Sequence, residues 1–240
     1  MDNSRNEEPR RCWLCEKNEA TEPYVRGKRR EMVCATCLEK NRARDALEDR
    51  LIYITDLECD GQYDAALACL DEILEANRPY DHDLWLARSI AMHRSGTLFS
   101  AGRYAEAEKA CEAWAQLGFQ DVWRRWMHGF RKAETLDALG RPREALAALE
   151  DALSHQEPRE IPSAGHMLVA VAELSEKLGQ PVDPKWRSLT EAWAKHHGVE
   201  MPVDDSLGKA IVEVNKIIRA RDPELAAIDA EEDEPEGDEP

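Results

Sequence analysis

Four of the seven cysteines stand in two C-x-x-C pairs, Cys12-Trp13-Leu14-Cys15 and Cys34-Ala35-Thr36-Cys37, with 18 residues between them. A C-x-x-C turn aims two thiolates at one point, and two such turns brought together make a closed tetrahedral cage of four sulfurs. Thiolates are soft ligands, and zinc imposes no geometry that this cage would violate. The spacing therefore predicts one structural zinc ion held by Cys12, Cys15, Cys34 and Cys37. An iron–sulfur centre draws on the same ligands. Catalytic zinc needs an open coordination position, which four cysteines do not leave, and a redox C-x-x-C would be a single pair beside a βαβ pattern. A segment of about 30 residues cannot bury enough core to fold alone, so the metal is expected to hold it together.

The elements that must position these ligands follow from the residues between and after them. Alternation around Arg26-Gly27-Lys28 suggests a short β-hairpin, and the chain turns helical after Cys37. A knuckle, a hairpin and a helix bearing the last two ligands resemble a treble-clef or zinc-ribbon finger over residues 9–44. Arg10, Arg11, Arg26, Lys28, Arg29 and Arg30 give this head a basic character. Three readings stand for them. Arg26, Lys28, Arg29 and Arg30 contact phosphates; or they are a solvated hairpin offsetting the cage's net charge of about −2; or they meet an acidic tail.

Residues 45–200 read as four helical pairs, at 45–59 with 62–77, 82–100 with 103–117, 121–139 with 142–155, and 163–178 with 183–197. Each pair turns at a glycine, Gly61, Gly102, Gly140 or Gly179. After the first three turns the chain reads Gly61-Gln-Tyr63-Asp-Ala-Ala66, Gly102-Arg-Tyr104-Ala-Glu-Ala107 and Gly140-Arg-Pro142-Arg-Glu-Ala145. Apolar residues follow four and seven places on: Leu70 and Ile73, Cys111 and Trp114, Leu149 and Ala152. This G-x-Y-x-x-A pattern resembles the tetratricopeptide repeat. The resemblance implies that the glycine permits the reversal, the aromatic packs between the helices and the alanine lets their backbones approach. Pro79 and Pro158 stand near the ends of second helices, as that family prefers. Pro142 replaces an aromatic in the third repeat, and Pro184 takes the small residue's place in the fourth.

Helix punctuation fits the layout. Asp45-Ala-Leu-Glu48 has the form of a capping box, Asp81 or Asp83 is placed to cap the second pair, and Asp121 the third. Pro142 sits early in its helix, where a missing N–H costs little. Residues 34–60 then run either as one continuous helix fusing the head to the first repeat, or as two helices with a hinge near Asp45. Cys59, Cys69 and Cys111 fall on apolar faces or at helix ends and are expected to pack in the core. Leu207, Ile211, Val214 and Ile218 recur at helical spacing, so 203–221 reads as an amphipathic helix that either caps the last repeat or docks a separate protein. Residues 222–240 hold ten Asp/Glu and no Lys/Arg, the composition of a disordered tail.

The expected fold is thus mainly α: an α-α helical-repeat solenoid of tetratricopeptide type with a small N-terminal zinc finger containing a β-hairpin. In such a fold the first helix of each pair lines the groove. The candidate partner-binding residues are Leu51, Thr55, Met92, Phe99, Met127, Phe130, Glu134, Asp137, His166 and Glu173. The Lys and Asn that clamp a terminal carboxylate in the family's best-known peptide site are missing from these faces. The groove suits a peptide with apolar anchors and basic flanks instead.

Charge points the same way. The formal net charge is −17 and mean hydropathy −0.64. Residues 1–44 carry eleven Lys/Arg against eight Asp/Glu, while 45–221 carry 21 against 31. An acidic body repels nucleic-acid backbones, so any phosphate contact belongs to the head. No nucleophile–base pair, phosphate loop or open metal site is present, and the chain reads as non-enzymatic. The N-terminal residues lack a signal peptide's apolar run, and the cysteine usage fits a reducing compartment, so a cytoplasmic location is expected. The expected function is a protein–protein interaction adaptor or scaffold. The alternative is a nucleic-acid-associated regulator whose finger touches phosphates.

Overall fold

A computed structural model describes residues 11–221, apart from 27–28, 82–83, 120, 156–160, 162–163 and 203–205. Residues 24–26 and 29–30 are described by backbone alone. Arg10, Lys28, Asp83, Pro158 and the acidic 222–240 segment lie outside the described residues. The chain is mainly α-helical, with a two-stranded hairpin near its start and nine helices among the described residues. It divides into two compact units, one ending at Gly118 and the other beginning at Phe119.

In the first unit, β1 (Glu22–Arg26) pairs antiparallel with β2 (Arg29–Val33), in a register running from Glu22 opposite Val33 to Arg26 opposite Arg29. α1 (Ala35–Cys59) follows as one uninterrupted helix of 25 residues. Asp45 is therefore a mid-helix residue, and the expected capping box at Asp45–Glu48 does not form. Ala43, Leu47, Ile54 and Leu57 lie at helical spacing and are all buried, which gives the charged 39–45 stretch a packed face. Arg44 pairs with Glu48 one turn on at 2.6 Å. The Arg42 and Arg44 guanidiniums lie over the Tyr80 and Trp85 rings, 5.1 and 5.6 Å from their centroids.

α2 (Tyr63–Asn77) returns against α1 through Gly61, whose φ of 70° is open to glycine at little cost. The Gln62 N–H donates to Leu57 O at 2.7 Å and the Gly61 N–H to Glu58 O at 3.0 Å, satisfying carbonyls that the ending helix leaves open. Gly102, Gly140 and Gly179 repeat this geometry. Ala66, Ala107 and Ala145, five residues after their glycines, are fully buried, as are Leu70, Cys111 and Leu149.

α3 (Trp85–Ser100) starts three residues later than the sequence pattern suggests. Its cap is nevertheless Asp81, whose carboxylate accepts from the Leu86 and Ala87 N–H groups at 2.8 and 2.9 Å. α4 (Tyr104–Gln116) completes the second hairpin. Side chains tie it to the first: Thr97 donates to Glu58, and Arg103 reaches Asp64 at 2.7 Å while gripping Glu106 through two bonds. Cys69 and Cys111 are core residues as expected, but Cys59, the last residue of α1, is exposed because the helix ends as it passes the packed face.

The second unit opens with α5 (Val122–Ala138), capped by Asp121, whose side chain accepts from the Arg124 N–H at 2.7 Å. Asp121→Ala should cost about 1 kcal/mol, read as a lower midpoint in urea unfolding with an unchanged slope. α6 (Pro142–Ser154) begins at Pro142 and crosses α5 at Gly129. α7 (Gly165–Lys177) starts the fourth pair. Its partner α8 (Arg187–His196) is shorter than the sequence pattern suggests, because Pro184 opens a tight turn through Trp186 before the helix can begin. α9 (Leu207–Arg221) buries Leu207, Ala210, Ile211 and Val214 against α7 and α8. Leu207, Ile211 and Val214 share one core with Leu168, Val171 and Trp193.

Candidate metal centre and repeat cleft

The head gathers its four cysteines from two elements. Cys12 and Cys15 come from the knuckle before β1, where the Glu16 N–H donates to Cys12 O at 2.8 Å and Glu16 takes the left-handed φ of 55°. Cys34 stands at the N-cap position of α1 and Cys37 sits in its first turn. The Cys12 N–H donates to Asn18 O, and the Trp13 N–H to Met32 O, which ties the knuckle to β2. The four sulfurs all lie within 4.8 Å of one another, with Cys15 and Cys34 at 4.0 Å. Tetrahedral bonds of about 2.3 Å set sulfurs roughly 3.8 Å apart, so the cluster fits a metal ion, whereas a disulfide needs about 2.05 Å.

The electrostatics agree with a cage built for a cation. Burial opposes the Cys12 thiolate, yet hydrogen bonds from the backbone at Cys34, Cys15 and Leu14 outweigh it and bring its pKa down to about 6. Backbone hydrogen bonding at Cys37, with the Asn18 amide 3.6 Å from the sulfur, lowers Cys34. Burial, then contact with the other three sulfurs, pushes Cys37 up. Four crowded thiols cannot all ionise without a positive charge among them. Asn18 was not singled out from the sequence; its place three residues after Cys15 is the only signal it leaves there.

The second unit carries a cleft of about 300 Å³ lined by α5, α6, α7 and α9. Of the groove candidates, it brings together Phe130, Glu134, Asp137, His166 and Glu173 over a floor that includes Ala133, Leu149 and Leu174. Met127 lies in an adjoining hollow with Trp123, Trp126 and Met167, and Phe130 and His166 line both spaces. Lys177, Asn215 and Arg219 also face the cleft. Lys177 stands one helical turn after Glu173, which was the available sequence signal. Asn215 and Arg219 belong to the helix read as a cap or as a docking element for a separate protein, not as part of this groove.

Lys177 pairs with Asp137 at 2.6 Å. Glu134 is held differently: its Oε2 is buried and accepts no hydrogen bond, with Arg131 as an ion-pair partner at 3.0 Å. Burial raises the Glu134 pKa, and the Arg131 charge offsets this only in part. Burial, then the Glu176 charge, raises Glu173. A carboxyl raised in the folded state contributes stability below its unfolded pKa and loses it as pH rises through the folded value. Glu134→Gln should therefore raise the melting temperature at pH 7. The gain should fade as pH drops toward about 4, where the native carboxyl is itself protonated.

In the first unit, Leu51 packs against the core, exposed Thr55 donates to Leu51 O, Met92 is half-buried, and Phe99 packs against Tyr104 with ring centroids 5.4 Å apart. For the phosphate-contact candidates, Arg26, Arg29 and Arg30 are placed as hairpin backbone, and Lys28 lies outside the described residues.

Successive helical hairpins, turned at left-handed glycines and packed on buried alanines, define a helical-repeat protein, here with a four-cysteine cluster at its head. The family model described as tetratricopeptide repeat matches residues 60–121 and 130–183. The second match ends just before Pro184, where the fourth pair departs from the pattern. No curated protein and no solved structure matches the chain. Tetratricopeptide repeats support a protein–protein interaction role, and no described helix is long and apolar enough to cross a membrane.

Proposed function

We propose that this protein is a non-enzymatic adaptor that binds a partner polypeptide on the first-helix faces of its repeats, with a zinc-stabilised head as N-terminal cap or second contact. The observation that carries the reading is the cleft of the second unit, where repeat helices present an apolar floor and partly buried carboxylates together. A partner with apolar anchors and basic flanks complements it. Zinc is the metal assigned to Cys12, Cys15, Cys34 and Cys37, because four thiolates on two C-x-x-C turns make a closed site suited to a structural role. When bound, zinc would cross-link the knuckle to the start of α1. Cysteines suited to metal rather than disulfides support a reducing compartment, the cytoplasm, as its location.

Competition between acidic and basic versions of one labelled peptide tests the partner assignment. Preference for the basic version is expected; preference for the acidic version would overturn it.

A further inference from the structure

The hollow and the cleft of the second unit are two ends of one surface, because Phe130 and His166 line both. Their chemistry differs. One end is aromatic and thioether, with Trp123, Met127 and Met167 around a volume of about 450 Å³. The other holds Glu134 and Glu173. Asp137 is neutralised by Lys177, while among the described residues no cation pairs with Glu173, on which the Glu176 charge acts. Glu134 has Arg131 beside it but no aligned donor on its buried oxygen. Arg219 also faces the cleft, from α9.

We infer that this surface reads a two-point motif in a partner peptide, a large apolar side chain in the Trp123–Met127 hollow and a Lys or Arg against Glu173 and Glu134. The inference rests on the reading of this groove as the partner site and adds the order and spacing of the two contacts. The spacing follows from the helices that carry them. Met127 and Glu134 are seven residues apart on α5, and Met167 and Glu173 six apart on α7, so the two points are separated by roughly 9–10 Å. A peptide in the extended polyproline II conformation spans that distance in about three residues and returns to the same face, and a helical one spans it in about seven. The expected motifs are an apolar residue with Lys or Arg three places away, or seven places away on one helical face. Apolar anchors bring the contact area and the cation removes the burden of carboxylates held out of water. The chain's own 222–240 segment has ten Asp/Glu and no Lys/Arg, so its charge opposes it as the occupant.

The test is selection of a random twelve-residue phage-displayed peptide library on the full chain, followed by anisotropy titration of the enriched peptides as fluorescein conjugates. Enriched peptides should carry the apolar–basic pair at one of the two spacings. They should bind the Glu134→Gln/Glu173→Gln double variant about tenfold more weakly. Met127→Ser should weaken the same peptides while leaving the charge preference intact. Peptides that need Met127 but carry no basic residue, or that bind the double variant equally well, overturn the two-point motif and leave the groove in place. Peptides insensitive to both variants, or no enrichment, overturn the groove as well. A dimer on size exclusion that the double variant converts to monomer makes a second copy the occupant and overturns the motif.

Discussion

Cys34→Ser should drop metal content below about half an equivalent and unfold the head, the largest effect expected of any single substitution in this chain. A structural zinc site can contribute on the order of 10 kcal/mol to folding its segment. Removing one of four thiolates opens the cage and leaves Cys12 and Cys15 with Cys37 alone across the fold. Cys34 stands at the N-cap position of α1 without a side-chain capping bond, so the first turn of that helix should fray through loss of the cage that anchors it. The repeats have their own buried core, with Leu47, Ile54, Leu70 and Leu86 among its members, and should survive. The readouts are elemental analysis of the purified protein and amide exchange. Protection should vanish at residues near 12–40 and persist beyond Ile54. Full metal content in the serine variant would sink the assignment of Cys34 as a ligand.

Gly165→Ala should destabilise the second unit by about 2–3 kcal/mol. A Cβ there would lie 2.5 Å from Trp193 Cζ2 and 2.7 Å from Cε2, distances no packed side chain holds. Trp193 is 3% exposed, so the indole has little room to retreat. Gly165 is the first residue of α7, where a better helix former gains little to offset the clash. Trp193→Phe removes the ring edge that a methyl would strike. The double variant should therefore lose less than the sum of the single losses, and a double-mutant cycle in urea should show coupling of about 1 kcal/mol or more. Additive losses would mean that the unit relaxes elsewhere.

The head and the turns were the most legible parts of the sequence, for different reasons. Metal ligation needs particular atoms at a particular spacing, so Cys12, Cys15, Cys34 and Cys37 announce their cluster chemically. The hairpin turns need a left-handed residue followed by a small one, so Gly61 with Ala66, and its counterparts, announce the reversals sterically. The region around Asp45 was ambiguous because Asp-x-x-Glu is compatible with a helix start and with a helix interior. Tertiary contacts decide it: Ala43 and Leu47 are buried and Arg42 and Arg44 lie over rings. The late start of α8 traces to Pro184, which was visible, but how far a proline turn delays a helix depends on packing, here of Trp186 in the core. The cleft was only half legible. Helical spacing pointed to Phe130, Glu134 and Glu173, but Asn215 and Arg219 come from a helix whose inner face periodicity alone could not orient.

The unbroken run of α1 fixes an angular relation between the cysteine cluster and the first repeat. Each residue inserted into its charged segment between Glu39 and Asp45 would turn the head by about 100° around the helix axis. A seven-residue insertion of helix-forming sequence would nearly restore the bearing while carrying the head about 10 Å farther out. Natural or designed length changes in this segment should therefore be tolerated in steps of whole helical turns, and the head is exchangeable between proteins only where the phase of the joining helix is preserved.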